Sequence, residues 1–170
     1  MPIDNCDYSF HQLASDVLPS YMKRLRERMG NPHEMAVFSE SGVGMRRLLE
    51  RFRKEVDFSG CYTLIDGDVP LYVGISKGVL NRLRQHVRGT THFDASLAYR
   101  MACASHPHEL SRSAAMRLEN FLRHFGDAQQ YLRTLKVAFI EIENPLELYL
   151  FEPYVAMELN TAVWNTFATH

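Results

Sequence analysis

Apolar positions along the chain follow two rhythms. Between Phe10 and Arg28, Leu13, Val17, Leu18, Tyr21, Met22 and Leu25 recur at three- and four-residue intervals, the spacing that lines one face of an α-helix. Pro19 falls inside this run and predicts a break or kink, because proline has no amide hydrogen to give a helix interior. Gly30-Asn31-Pro32 reads as a stop signal, and the segment after Ser41 restarts a helix with Met45, Leu48, Leu49 and Phe52 on one face. Residues 1 to about 57 therefore read as helical and polar.

The rhythm changes at Ser59-Gly60. The runs "CYTLI" and "PLYVGI" are rich in aromatic and β-branched residues and are separated by the turn signal Asp66-Gly67-Asp68, which predicts a β-hairpin. Helices are expected over 79–87, 95–104 and 111–125, the last opened by capping serines and closed by Gly126. Residues 134–143 alternate imperfectly, with Leu135, Val137, Phe139, Ile140 and Ile142 apolar, enough for a third strand. Asn144 as N-cap and Pro145 at the first position then begin a final helix. The order of elements predicts an α/β fold of the α+β kind: a small three-stranded, mainly antiparallel sheet flanked by helices. An N-terminal helical extension over residues 1–57 precedes a main domain over 58–170.

Composition narrows the class. Hydrophobic residues make up 46% and charged residues 23% of 170, ordinary for one folded domain and unlike a disordered or fibrous chain. Nineteen basic residues against 20 acidic ones leave a formal charge of -1, so nucleic-acid binding has to use a local basic surface. Cys6, Cys61 and Cys103 are odd in number and far apart, which argues against a disulfide framework. No apolar run approaches the roughly 18 residues that span a bilayer. The first residues lack the basic start and apolar centre of a signal peptide, so the expectation is a cytoplasmic protein with no membrane partner.

Four pieces of the sequence belong together. They are "GCY" at 60–62, "YVG" at 72–74, Arg82 and His86 one helical turn apart, and Glu152 on the last helix with Asn165 beyond it. In this order they resemble the GIY-YIG nuclease superfamily over residues about 59–167. The resemblance implies that Tyr62 and Tyr72 are the motif tyrosines, Arg82 the catalytic arginine, Glu152 the ligand of one divalent metal and Asn165 the asparagine that completes the site. His86 falls where several members of the family carry a histidine. Mg²⁺ is the implied ion, with Mn²⁺ as a substitute, and DNA, duplex or branched, is the implied partner. Gly74, Ser76, Lys77, Arg84 and Arg88 are the expected substrate contacts, and a homodimer is a further expectation.

The chemistry asks for these residue types on its own account. Phosphodiester hydrolysis needs an activated water, neutralisation of the charge that builds on the phosphate, and help for the leaving oxygen. A planar guanidinium at 82 matches phosphate oxygens in pairs. Tyr62 is the candidate base or water-orienting group, assisted by the metal or by His86 because a phenol alone has a pKa near 10. Tyr72 would position water or phosphate. Glu147, earlier on the last helix, is the competing carboxylate and ranks below Glu152, while Pro153 bears on how Glu152 is aimed. The rival reading is a non-catalytic nucleic-acid-binding or assembly module of the same fold; a homing- or restriction-type enzyme would have only the first 57 residues for extra specificity. "HPH" at 106–108 invites zinc, yet no cysteine or further histidine stands at a useful spacing. His92 lies in the same part of the chain with nothing to fix its role. The basic runs at 23–28 and 46–54 carry interleaved acids and read first as solvated faces, second as a clamp on the DNA backbone.

Overall fold

The computed structural model describes residues 2–167. Ser9 accepts the amide of Gln12 while the Gln12 side chain accepts the amide of Ser9, a capping box. It starts helix α1 (Phe10–Gln12), which passes through a π segment (Leu13–Val17) into α2 (Leu18–Met29). The wide turn stands immediately before Pro19, so the expected break takes the form of a bulge inside a continuing helix. Then follow β1 (His33–Glu34), a 3₁₀ segment (Met35–Ser39), α3 (Met45–Arg51), β2 (Gly60–Asp66), β3 (Val69–Ser76), α4 (Val79–Arg88), α5 (Ser96–Ser105) and α6 (Arg112–Ala115). The chain closes with α7 (Glu119–Thr134), β4 (Lys136–Glu141) and α8 (Pro145–Glu158).

The sheet has four strands in the order β1-β4-β2-β3, which corrects the three-stranded sheet expected from the sequence. The added strand is two residues long and directly follows the Gly30-Asn31-Pro32 stop. Two residues are too few to show an alternation, so only their pairing partner identifies them as a strand. β2 lies at the centre of the hairpin and of the β2–β4 pair, both antiparallel, with Tyr62 opposite Gly74 on one side and Phe139 on the other. Gly67 takes φ +58 in the hairpin turn, a conformation that glycine adopts without strain. A second correction concerns the helix expected over 111–125. Ser111 caps only the short α6, and α7 runs through Gly126 rather than ending there. Phe125, Ala128, Gln129 and Leu132 continue its buried face, and that burial outweighs the roughly 1 kcal/mol penalty of an interior glycine.

The chain divides into two compact units that interleave along the sequence: 2–33, 56–79 and 136–167 in the first, 34–55 and 80–135 in the second. In the first, Met22 and Leu25 of α2, Cys61, Val73 and Ile140 of the sheet, and Phe151 and Val155 of α8 form one buried cluster. Phe151 meets the Tyr21 ring edge-on at 5.6 Å; truncating a buried phenylalanine to alanine costs about 3–5 kcal/mol. In the second, Tyr99 and Phe121 pack α5 on α7 with ring centroids 5.3 Å apart. Carbonyls at and just beyond the end of α4 are taken by α7: Arg133 Nη2 donates to Val87 O at 2.8 Å and Gln129 Nε2 to Gly89 O at 2.8 Å. A cation at that end also opposes the helix dipole.

Candidate functional site

Tyr62 and Tyr72 lie on the same face of the hairpin, with ring centroids 6.3 Å apart. The face is set by the period of two along each strand together with a bulge between Leu64 and Ile65, which brings Tyr72 opposite Leu64; Cys61 and Val73 point to the other side, into the cluster with α2 and α8. Tyr62 is only 1% exposed. Its hydroxyl lies over Gly74, where any β-carbon would collide with it. Glycine at 74 thus makes room for the phenol, and Tyr72, half-buried, is the more accessible of the two.

Glu152 belongs to α8, which packs chiefly against β3. Its side chain is half-buried, and burial raises its pKa above the usual carboxylate range. Burial, with a smaller contribution from the Glu152 charge, also pushes the Cys61 thiol upward. Glu152 accepts no hydrogen bond and forms no ion pair among the described residues. Pro153 leaves α8 unbroken, and it has no amide hydrogen for the Tyr149 carbonyl one turn earlier. Glu147, the competing acid, is already engaged: Tyr21 Oη donates to its Oε2, and Cys6 Sγ lies 3.8 Å from its Oε1. Burial, followed by the hydrogen bond to Glu147, raises the Tyr21 pKa far above its ordinary value.

β3 is an edge strand, and Asn165 closes that edge. A turn after α8, held by Asn165 N–H to Thr161 O at 2.9 Å, brings the Asn165 amide alongside Val73. Its Oδ1 accepts the Val73 amide at 2.9 Å and its Nδ2 donates to the Val73 carbonyl at 2.8 Å. Both hydrogen-bonding ends of the side chain are thereby committed to backbone. Asn165 secures the strand between Tyr72 and Gly74, and it also covers part of an otherwise open edge. Ser76 closes the turn after β3 by bonding to both the amide and the carbonyl of Gly78, each at 3.1 Å, with Lys77 exposed between them.

The second unit carries Arg82, Arg84, His86 and Arg88 on α4. Arg82 is held by neutral oxygens, donating to Asp94 O at 2.7 Å, Ser96 Oγ at 2.8 Å and Gln85 Oε1 at 3.3 Å. No carboxylate pairs with it among the described residues. Nothing local in the sequence marks the Asp94 carbonyl or Ser96 as the groups that orient it. Arg84 Nε is buried with no acceptor, and Arg88 is exposed and reaches Glu40 O at 3.5 Å. His86 is fully buried. Burial first, then the charges of Arg82 and Arg100, lowers its pKa to about 3, so it is a neutral imidazole and a weak base at neutral pH.

Among the described residues the other histidines do not gather into a metal site. His106 stacks on His124 at 4.8 Å, and His108 Nε2 lies 3.6 Å from Cys103 Sγ and 3.5 Å from Tyr99 Oη. His92 is buried against Phe93 and Tyr99. Among the described residues no group of three or more His, Cys, Asp and Glu side chains is arranged to hold a metal ion. A single carboxylate with no donor of its own does fit a hard divalent cation whose remaining ligands are water and phosphate oxygens, the usual habit of Mg²⁺. No protein-family model, curated protein or solved structure matches the chain. No helix among the described residues is long and apolar enough to cross a membrane.

Proposed function

We propose that this protein is a metal-dependent endonuclease that hydrolyses DNA phosphodiester bonds with one divalent ion held by Glu152. The observation that carries the reading is a half-buried carboxylate left without a donor, on a helix packed against the same hairpin that presents the tyrosine pair. A cation satisfies that carboxylate and removes the penalty that burial imposes on its charge. When bound, the ion would neutralise phosphate charge and acidify its own water.

The remaining work falls to the chain's own groups. Tyr72, the more accessible phenol, hydrogen-bonds water or a phosphate oxygen at the edge of β3. Tyr62, covered by Gly74, orients Tyr72 and the hairpin and is not the proton acceptor. His86 keeps its ring neutral and does not relay the proton either. Arg82, which no described carboxylate pairs with, is the guanidinium assigned to the charge that develops on the phosphate. Asn165 fixes β3 so that Tyr72 keeps its direction.

The alternative is a non-catalytic nucleic-acid-binding or assembly module with the same fold, favoured by the burial of both Tyr62 and His86. Incubation of supercoiled plasmid with the protein in Mg²⁺, Mn²⁺ or EDTA, beside the Glu152→Gln variant, separates the two. The nuclease reading expects nicked or linear product from the unaltered protein with metal alone. Intact plasmid in every tube rejects it in favour of the module.

A further inference from the structure

The end of the sheet remote from the Gly67 turn holds a cleft of about 550 Å³, whose lining includes two of the expected substrate contacts, Ser76 and Lys77. Ile75, Pro145, Leu148 and Tyr149 give it an apolar wall, and Ser59, Lys77 and Glu143 stand on its polar side. We propose that the cleft binds one unpaired nucleotide of the substrate, with its base stacked on Tyr149, its phosphate at Lys77 and an amino group of the base at Glu143. The assignment rests on the endonuclease reading, because it places this nucleotide beside the phosphate that is cut.

The register explains the placement of the charges. Gly60 pairs with Ser76 of β3 on one side and Glu141 of β4 on the other, and Ile142 N–H bonds to Ser59 O at 3.1 Å. Lys77 and Glu143 therefore leave the sheet on opposite sides of Ser59, about two strand spacings or roughly 10 Å apart. A cation and an anion at that separation match the phosphate and the amino edge of one nucleotide, whereas a fatty or purely apolar ligand would leave both unused. The volume lies within the range of sites for ligands of that size.

Tyr149 is 69% exposed on α8 although it borders an apolar wall, the arrangement of a stacking platform. Neither Ser59, half-buried, nor the exposed Glu143 forms a side-chain hydrogen bond or ion pair with a described residue, so both are available to a base edge. Lys77 stands in a turn held closed by Ser76. On α8, Leu148 and Tyr149 precede Glu152 by about one helical turn, the spacing at which side chains are neighbours on a helix surface.

The test uses the full chain in EDTA, where no cleavage occurs, with a single-stranded oligonucleotide carrying the fluorescent base 2-aminopurine. Stacking on Tyr149 should quench the fluorescence with the unaltered protein and with Tyr149→Phe, and not with Tyr149→Ala, whose affinity should fall about tenfold. Lys77→Gln should lower the salt slope of binding by about 0.7, the loss of one single-strand phosphate contact, and an all-thymine oligonucleotide should bind less tightly than one with amino-bearing bases. Because residue 149 is exposed, its variants keep the fold, which thermal melting verifies. Quenching and affinity unchanged in Tyr149→Ala overturn the proposal, as does binding of free mononucleotide alone with no oligonucleotide effect. Plasmid cutting in Mg²⁺ is scored separately. Quenching that depends on Tyr149 without any cutting leaves the cleft assigned and removes the nuclease; cutting with Tyr149→Ala equal to the unaltered protein in both assays removes the cleft alone.

Discussion

Glu147 and Glu152 stand on neighbouring turns of α8, and their surroundings differ in kind. Glu147 is almost wholly buried and receives a hydrogen bond from the Tyr21 hydroxyl, with the Cys6 thiol beside it. Glu152 is more accessible, its pKa is raised by burial, and no described residue donates to it. The first arrangement ties the N-terminal helices to α8, since Cys6 and Tyr21 both reach it from that end of the chain. The second leaves a partly desolvated carboxylate that no described residue pairs with or donates to. Folding alone does not favour such a group, and it is there that the proposal places a cation.

The sharpest way to break this comparison is to neutralise each acid in turn. Glu152→Gln should reduce plasmid nicking about a thousandfold, the scale of losing a principal charge-stabilising group, while Glu147→Gln should leave the nicking rate within about threefold once the protein is folded. Equal losses would show that the two turns do not divide structural from catalytic work. A second test follows from the partner of Glu147. Tyr21→Phe should lower unfolding free energy in urea by about 1–2 kcal/mol, with no change in Mg²⁺ dependence of nicking.

His86 extends the contrast to a buried base. Its folded pKa of about 3 lies below its ordinary value of 6.5, so the unfolded chain takes up the proton first. The stability from its neutral burial is complete above about pH 6.5 and is lost as pH falls from there toward 3. Urea midpoints measured at pH 7, 5 and 4 should fall more steeply for the natural protein than for His86→Gln. A parallel slope in the variant would mean that His86 is not the group responsible. The smallest expected effect returns to Glu152. Without metal at neutral pH, Glu152→Gln should raise Tm by about 2 °C by removing an uncompensated charge, and the gain should shrink below the carboxylate range, where the natural side chain is itself neutral.

Much of this fold is written locally. The Asp66-Gly67-Asp68 signal, the helix start at Asn144-Pro145 and the amphipathic run from Phe10 to Arg28 all stand where neighbouring residues placed them. Asn144 caps as expected, accepting from the amides of Leu146 and Glu147. Features that depend on a distant partner were not legible. β1 exists because β4 pairs with it, and α7 runs through Gly126 because its buried face continues beyond that residue.

Side-chain shape and contacts within a few residues settle most of the turning, alternating and winding segments, with β1 and the continuation of α7 beyond Gly126 as the exceptions. The shared face of Tyr62 and Tyr72 is not among these locally settled features: regular pairing from the Gly67 turn would put Tyr72 opposite Thr63, and a bulge between Leu64 and Ile65 brings it opposite Leu64 instead. Local caps such as Asn144 aside, which polar groups find partners depends on the packed chain. Tyr21 reaches Glu147 across 126 positions and Asn165 reaches Val73 across 92, so only the packed chain separates a committed carboxylate from one still lacking a partner. Hydrogen bonding and burial are properties of neighbours in space, and no local pattern along the chain records them.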